Sequence, residues 1–467
     1  MVENEETTSR HSLGTYFSFG TYNILWTIPT ATMGLFMFFY YDIVVGLKPW
    51  DITLVVFINT IWAGLNDPLI GWLTDRNFKW TRTWGRRFPW IVIGFIPQSI
   101  SLIMIFSAPN LPKDALGDVI NPLPVMLWLL LSLFVFDLFI TLVEIHVSIL
   151  RADKFRTEKE RRKYAGFFSS FDMVAQVLGM MLPPLFLVFG DRSLGSYIVM
   201  AGIIAIIMII FGVLFIHGAQ EDKIIIDRYY SKEYERLHIL KGVVTAIKQR
   251  SFITLYAAYI AFLSATSIMT AMVVYLTEFI LHGSDMIIFL ALFLGGALIS
   301  IPVWLKILKK MKNSRKLYLY GSFLLCGLIV PLTFFQGDID LMIIMFLVGF
   351  GTGSVWSIGM PVLYSNVQDD FVVRNEKNQK GMLVGTWAVI SLLTAFIDEV
   401  LISTVFGLVG FNAAIPDYWN NELAIRLLLG IIPMLVLLTG TLIFWKFYPL
   451  TQEKVLENKA KLLELGF

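Results

Sequence analysis

Twelve long apolar segments, separated by shorter polar stretches, run the length of the chain. A helix needs about 20 apolar residues to cross roughly 30 Å of hydrocarbon. Each apolar segment has about this length, so the pattern predicts an all-α integral membrane protein. The predicted spans are 14–41, 51–74, 89–107, 123–150, 164–189, 194–217, 252–281, 286–306, 317–335, 340–364, 382–409 and 423–446.

One long polar connection lies between the sixth and the seventh span. It predicts an N-terminal six-helix half at 1–217, a linker at 218–250, and a C-terminal half at 251–467 with a short tail. Within the linker, the section 227–250 predicts an amphipathic helix on the membrane surface. The basic loop after span 8 lies where a degenerate copy of the 75–88 loop is expected, which indicates two pseudo-symmetric halves.

Loops rich in basic residues alternate along the chain with loops that contain few or none. The 75–88 loop, the 151–163 loop and the loop after span 8 are rich in Lys and Arg, whereas 282–285, 336–340 and 410–422 contain neither. By the positive-inside rule the rich loops face the cytoplasm. We therefore expect a multi-pass protein of the cell membrane with both termini, and the linker, in the cytoplasm.

Composition supports a membrane protein and excludes several other classes. Of 467 residues, 57% are hydrophobic and 15% charged, with a mean hydropathy of +0.71. The net charge is only +2, and the basic residues are distributed by loop topology and do not form one patch, so no nucleic-acid surface is expected. The single cysteine, Cys326, excludes a disulfide framework and a thiolate metal site.

The main rival class is a membrane enzyme. The five histidines are scattered, and no HExxH, GxSxG or P-loop pattern occurs; the single HxxxxD spacing, His217 to Asp222, has no companion motif. We expect a monomer that is not an enzyme and holds no cofactor.

Polar residues within the spans fall on single helical faces. On span 4, Asp137, Thr141, Glu144 and Ser148 recur at helical spacing. Spans 1, 5 and 11 repeat the pattern with Asn23 and Thr27, with Ser169, Asp172 and Gln176, and with Ser391 and Asp398. Hydroxyl stripes alone are equally typical of interhelical hydrogen bonds. Buried carboxylates with no obvious mid-membrane Lys or Arg favour a functional role.

A motif joins span 2 to span 3. It reads N-D-P-x-x-G-x-x-x-D-R from Asn66 to Arg76 and then W-G-R-R-x-P from Trp84 to Pro89. This combination resembles the signature of the glycoside-pentoside-hexuronide cation symporters, the melibiose-permease-like members of the major facilitator superfamily. The runs DKFRTEKERRKYAGFFSSF, LPP, SNVQDDF and KGMLVG are also similar to that family. The resemblance implies two six-helix halves with the substrate site between them.

The same resemblance assigns roles to individual residues. Asp67 and Glu144 correspond to cation-site or sugar-site positions, and Trp356 to a cavity tryptophan. The polar faces of spans 1, 4, 5 and 11 named above are expected to line the substrate cavity. The resemblance also implies a latch, a set of residues that holds the two halves in one conformational state. Its residues here are Gly71, Asp75, Arg76, Arg86 and Arg87.

Other positions depart from the family pattern. Ala63 replaces an aspartate, Gly166 an arginine, Leu392 a lysine, and Tyr22 or a neighbour the acid of helix 1.

These features predict cation-coupled symport by alternating access. The substrate is expected to be a small neutral or cationic solute, with a sugar or glycoside favoured by the resemblance. The coupling cation is expected to be H⁺ or Na⁺, bound at Asp67 and Glu144. Because Ala63 removes a carboxylate that could bind sodium, the proton is favoured. The alternatives are a carrier of lipid-like or amphipathic solutes, suited to the 38 Phe and 13 Trp, and an uncoupled facilitator.

Overall fold

The computed structural model describes residues 11–74, 78–155, 157–188, 193–223, 226, 247–281, 286–311, 313–375, 380–415 and 418–464. The amphipathic segment predicted at 227–250 lies almost wholly outside these residues, as do Asp75 and Arg76. The described chain divides into two compact units, Met1–Glu235 and Arg236–Phe467. The boundary falls within the predicted 218–250 linker, whose extent stays a prediction.

Among the described residues, twelve helices are long and apolar enough to cross a membrane. This confirms the prediction of an all-α, twelve-span fold. In chain order they are α1 Leu13–Val45, α2 Pro49–Thr74, α3 Phe88–Ile105, α4 Leu123–Lys154, α5 Glu158–Val188, α6 Leu194–Ala219, α7 Arg250–Phe279, α8 Met286–Met311, α9 Ser314–Thr333, α10 Asp338–Ile358, α11 Lys380–Val409 and α12 Trp419–Phe447.

In the N-terminal unit, α1 packs against α5 and α6, while α4 packs against α2 and α3. Small residues allow the close approaches. A Cβ on Gly179 of α5 would lie 3.0 Å from the carbonyl oxygen of Ile28 on α1. Without a strong hydrophobic drive between helices in lipid, such close packing is a main source of their association. The two helix pairs α1–α5 and α2–α4 position the polar residues described below.

The start of α3 is held by an acidic side chain from beyond α6. Glu221 Oε1 accepts hydrogen bonds from the backbone N–H groups of Arg87 and of Phe88, the latter at 3.0 Å. These are orphan donors at the helix N-terminus, where a negative charge is also favoured by the helix dipole. Gly85 has φ +89°, and a Cβ there would lie 2.5 Å from Glu221 Oε1. The glycine of the W-G-R-R motif therefore makes room for this carboxylate.

In the C-terminal unit, α8 packs against α10, α9 against α10 and α12, and α7 against α11 and α12. A helix follows α10 at Ser365–Asn375, and its buried Asp370 accepts hydrogen bonds from Gln249, Ser251 and Asn458. Asn458 belongs to a tail helix, α13, Gln452–Glu464. The carboxylate thereby ties the tail to the start of α7.

Candidate functional site

The signature aspartate of α2 faces a hydroxyl of α4. Thr141 Oγ1 donates a hydrogen bond to Asp67 Oδ1 at 3.0 Å. The preceding residue, Asn66, is completely buried and donates from Nδ2 to the backbone oxygen of Asp137 at 3.0 Å. Among the described residues, no donor reaches Asn66 Oδ1. A carboxylate, a hydroxyl and an unpartnered amide oxygen thus all lie along the contact between α2 and α4.

A second carboxylate, Asp137, lies on α4 one turn before Thr141. Asp137 Oδ2 accepts a hydrogen bond from Asn59 Nδ2 at 2.7 Å, so α2 supplies polar partners at two levels. Asp67 interacts electrostatically with both Asp137 and Glu144. The like charges of these carboxylates repel one another when all are ionised, which favours uptake of a cation among them.

Glu144 is joined to α1. The hydroxyl of the buried Tyr22 donates a hydrogen bond to Glu144 Oε2. The side chain of Arg151, two turns further along α4, attracts the Glu144 carboxylate. Arg151 lies near the cytoplasmic-loop end of α4 and acts on Glu144 through its charge, so the expectation of no mid-membrane Lys or Arg beside this group stays a prediction.

The polar face of α1 also meets α5. Thr27 Oγ1 donates to Asp172 Oδ1 at 2.8 Å, and Asn23 Nδ2 donates to the backbone oxygen of Phe168 at 2.6 Å. The two predicted stripes therefore do face each other. Among the residues that the structure describes, the partner shown for Asp172 is a neutral hydroxyl and not a cation.

Three predicted cavity residues lie apart from these contacts. Ser148 donates to the backbone oxygen of Ile145 within its own helix at 3.0 Å. Gln176 contacts Met180 Sδ, also within its own helix, at 3.5 Å. Ser169 is exposed. For Ser148 and Gln176, the structure shows local hydrogen bonding, which membrane helices commonly use.

The C-terminal unit holds the remaining predicted residues. Ser391 Oγ and the Tyr256 hydroxyl lie 2.8 Å apart, joining α11 to α7. Asp398 is 5% exposed and interacts with hydroxyls of α7. Trp356 near the end of α10 is 53% exposed and presents an edge to Phe262. An exposed indole at this position is available to contact a substrate or lipid.

The predicted latch is described only in part, because Asp75 and Arg76 lie outside the described residues. A Cβ on Gly71 would have no atom of the described chain within 4 Å. Arg87 is buried, with Nη1 3.5 Å from His146 Nδ1, and Arg86 is half-buried. Arg87 thus contacts α4 of its own half, and the latch stays a prediction.

Sequence reasoning did not select Tyr22, Asn59, Asn66 or Arg151 as site residues. Asn59 and Asn66 lie two turns apart on one face of α2, and Asn66 directly precedes the signature aspartate, which was a usable signal. Arg151 lies two turns from Glu144, which was another. The partnership of Tyr22 with a residue 122 positions away had no sequence signal. Among the described residues, no three Asp, Glu, His or Cys side chains converge as metal ligands.

Comparisons with known proteins give the family. The model for "MFS/sugar transport protein" matches residues 18–452. The sodium-dependent lysophosphatidylcholine symporter 1 of Mus musculus is 20% identical over 93% of this chain and 85% of that protein. The sphingosine-1-phosphate transporter MFSD2B of Xenopus tropicalis is 20% identical over 89% of this chain and 84% of that protein.

Solved structures agree on the fold. The crystal structure of the nucleoside transporter NupG superimposes with a TM-score of 0.59 at 12% identity, covering 93% of this chain and 99% of that one. Such low identity carries the fold alone. Together with the match over residues 18–452, it shows that the chain belongs to the MFS/sugar transport protein family, as a multi-pass membrane transporter of the major facilitator type and not an enzyme.

Proposed function

We propose that the protein is a sodium-coupled symporter whose cargo is a single-chain amphiphile with a neutral or zwitterionic headgroup. The observation that carries the coupling is the junction of α2 and α4. There the Thr141 hydroxyl bonds Asp67, beside the buried and unpartnered Asn66 Oδ1. Carboxylate, hydroxyl and amide oxygens are the ligands that hard cations prefer.

Sodium replaces the proton as the favoured cation. A proton needs one carboxylate, whereas the neutral oxygens of Asn66 and Thr141 suit an ion that coordinates several ligands at once. The lysophosphatidylcholine relatives carry "sodium-dependent" in their names, which supports the same choice. In this proposal the neutral oxygen ligands of Asn66 and Thr141 take the place of the carboxylate that is missing at Ala63.

The second carboxylate, Glu144, links the ion to the rest of the half. Tyr22 of α1 and Arg151 of α4 both stabilise its ionised form. An incoming cation takes one ligand from the Asp67 carboxylate and one from a lone pair of the Thr141 oxygen, while the Thr141 hydroxyl still donates its proton to Asp67. Ion binding then changes the contact between α2 and α4, and alternating access of the two halves follows in the proposed cycle.

The amphiphilic cargo is supported by what this chain lacks. Sugar recognition depends on a dense set of hydrogen bonds to hydroxyls. Three positions that are polar in the sugar symporters are apolar or side-chain-free here, at Ala63, Gly166 and Leu392. The relatives that align over most of the chain are named for lysophosphatidylcholine and sphingosine-1-phosphate.

The charge of the headgroup is set by the carboxylates. Asp67, Asp137, Glu144 and Asp172 lie within the spans of one half, and Arg151 attracts one of them. An excess of negative charge repels an anionic solute and tolerates a neutral or zwitterionic one. Lysophosphatidylcholine fits this requirement better than a lipid phosphate.

A sugar or glycoside is the second candidate. It is favoured by the motif from Asn66 to Pro89, which resembles that of the melibiose-permease-like symporters. The same coupling site serves either cargo, so the two candidates differ in substrate and not in mechanism.

Transport by the purified protein in proteoliposomes decides between them. Labelled lysophosphatidylcholine is presented outside under an inward Na⁺ gradient, and lipid left in the outer leaflet is extracted with serum albumin. We expect albumin-resistant lipid to accumulate with Na⁺ and not with K⁺. A panel of labelled glycosides is tested in parallel. Na⁺-driven accumulation of a glycoside with no lipid translocation would overturn the amphiphile in favour of the sugar.

A further inference from the structure

A buried carboxylate lies in the C-terminal unit with only hydroxyls beside it. Asp398 of α11 is 5% exposed. Among the described residues, the side chains that interact with its carboxyl group are Ser264 and Ser267 of α7, and no lysine or arginine does so. An ionised carboxylate in such a place is costly unless a cation joins it.

One carboxylate oxygen and two hydroxyls at this place make no hydrogen bond of good geometry with the residues that the structure describes. Asp398 Oδ1, Ser264 Oγ and Thr394 Oγ1 are all buried, and none meets hydrogen-bond geometry with any partner in the described chain. Ser264 is completely buried, and Thr394 is 9% exposed. Thr394 lies one turn before Asp398 on the same face of α11.

Ser264 differs from the threonines of its helix. Thr254, Thr266, Thr270 and Thr277 each donate to the carbonyl oxygen one turn earlier in α7. This is the usual way in which a hydroxyl is satisfied within a membrane helix. A buried serine that makes no such bond keeps the lone pairs of its oxygen available to another ligand.

We propose that Asp398, Ser264, Ser267 and Thr394 form a sodium site within the C-terminal half, separate from the site at Asp67. One carboxylate and three hydroxyls offer four oxygen ligands and a single negative charge, which suits a monovalent alkali cation. The ion neutralises Asp398 and uses the unpartnered oxygens together. Two such sites, one in each half, give a transport stoichiometry of two sodium ions per cycle.

Sodium-dependent thermal stabilisation of the purified full-length protein tests the site. The midpoint of unfolding is measured in detergent over a series of NaCl concentrations, with choline chloride keeping ionic strength constant. Asp67→Asn combined with Glu144→Gln removes the N-terminal site. We expect this variant to keep part of the Na⁺-dependent rise in midpoint, and the further change Asp398→Asn to remove the rest.

Asp398→Asn has a second expected effect, on stability in the absence of Na⁺. Without Na⁺, Asp398→Asn removes a buried charge that no cation balances, so its unfolding midpoint is expected to exceed that of the parent. Thr394→Val should raise the half-saturating Na⁺ concentration of the C-terminal response about 10-fold, while Thr394→Ser restores it. Glu399→Gln, the adjacent acid on another face of α11, is the matched control and should leave that concentration unchanged.

The outcomes separate the two proposed sites. A Na⁺ response that is present in the parent and absent once Asp67 and Glu144 are neutralised overturns the C-terminal site alone. A parent that shows no Na⁺ response overturns both sites. If Asp398→Asn alters only the pH dependence of stability and leaves the Na⁺ response intact, the group binds a proton and the sodium site is wrong.

Discussion

The contact between Gly85 and Glu221 gives the most quantitative prediction. Gly85→Ala places a methyl group 2.5 Å from Glu221 Oε1 and requires a non-glycine residue at φ +89°. The backbone strain costs about 1–2 kcal/mol. Displacing the carboxylate from the N-terminus of α3 costs about another 1–2 kcal/mol, the usual worth of a helix cap. We therefore expect Gly85→Ala to lower the free energy of unfolding by about 2–4 kcal/mol.

A double-mutant cycle separates the two costs. In a Glu221→Ala background the carboxylate is already absent, so Gly85→Ala should cost only the backbone strain of about 1–2 kcal/mol. The assay is reversible unfolding in mixed detergent, followed by tryptophan fluorescence. Gly327→Ala is the control, because a Cβ there meets open space in the described structure. If the two substitutions at 85 and 221 are additive within about 0.5 kcal/mol, the contact does not contribute as described.

Three further changes test separate parts of the structure. Tyr22→Phe removes the donor to Glu144, and a hydrogen bond to a charged group is worth about 1.5–3 kcal/mol, so the Na⁺ concentration for half-maximal uptake should rise at least about 10-fold. Asn59→Leu leaves Asp137 without its donor and should lower the free energy of unfolding by about 1–3 kcal/mol, whereas Asn59→Leu with Asp137→Leu should cost less. Lys310→Cys in a Cys326→Ser background should react with an impermeant maleimide only after the cells are permeabilised.

Each of these has a matched comparison. Tyr320→Phe, at an exposed tyrosine of α9, should leave the Na⁺ dependence of uptake unchanged. If Tyr22→Phe also leaves it unchanged, the Tyr22 hydroxyl does not have the proposed role. For Asn59, a double variant less stable than the single one would contradict the pairing. Lys113→Cys in the opposite loop should be labelled on intact cells; labelling of position 310 from outside would reverse the topology.

The twelve spans could be predicted because hydropathy and loop charge act locally along the chain. Partners across helices could not, because they depend on how helices rotate against one another. Tyr22 and Glu144 are 122 residues apart, and only the three-dimensional arrangement of the N-terminal unit brings them together. The glycine of the W-G-R-R motif was recognised as part of a signature, but the reason for it, the Glu221 carboxylate, appears only in three dimensions.

Two parts of the site were within reach of the sequence. Asn59 and Arg151 lie at helical spacing from Asp67 and Glu144, and a stricter reading of each face would have included them. On α5, Gln176 bonds within its own helix and Ser169 is exposed, and the cavity role of both residues stays a prediction. Helical periodicity places a residue on a face, but it does not say whether that face meets another helix, lipid or water.

Sodium-driven accumulation by Asp67→Asn is the most direct test of the proposed coupling. Proteoliposomes containing the parent, Asp67→Asn or Glu144→Gln receive labelled substrate, first under an inward Na⁺ gradient and then with equal substrate and Na⁺ on both sides. The proposal predicts that Asp67→Asn loses accumulation against a gradient while it retains exchange between equal pools. If Asp67→Asn and Glu144→Gln both concentrate substrate as well as the parent does, the junction of α2 and α4 is not the coupling site.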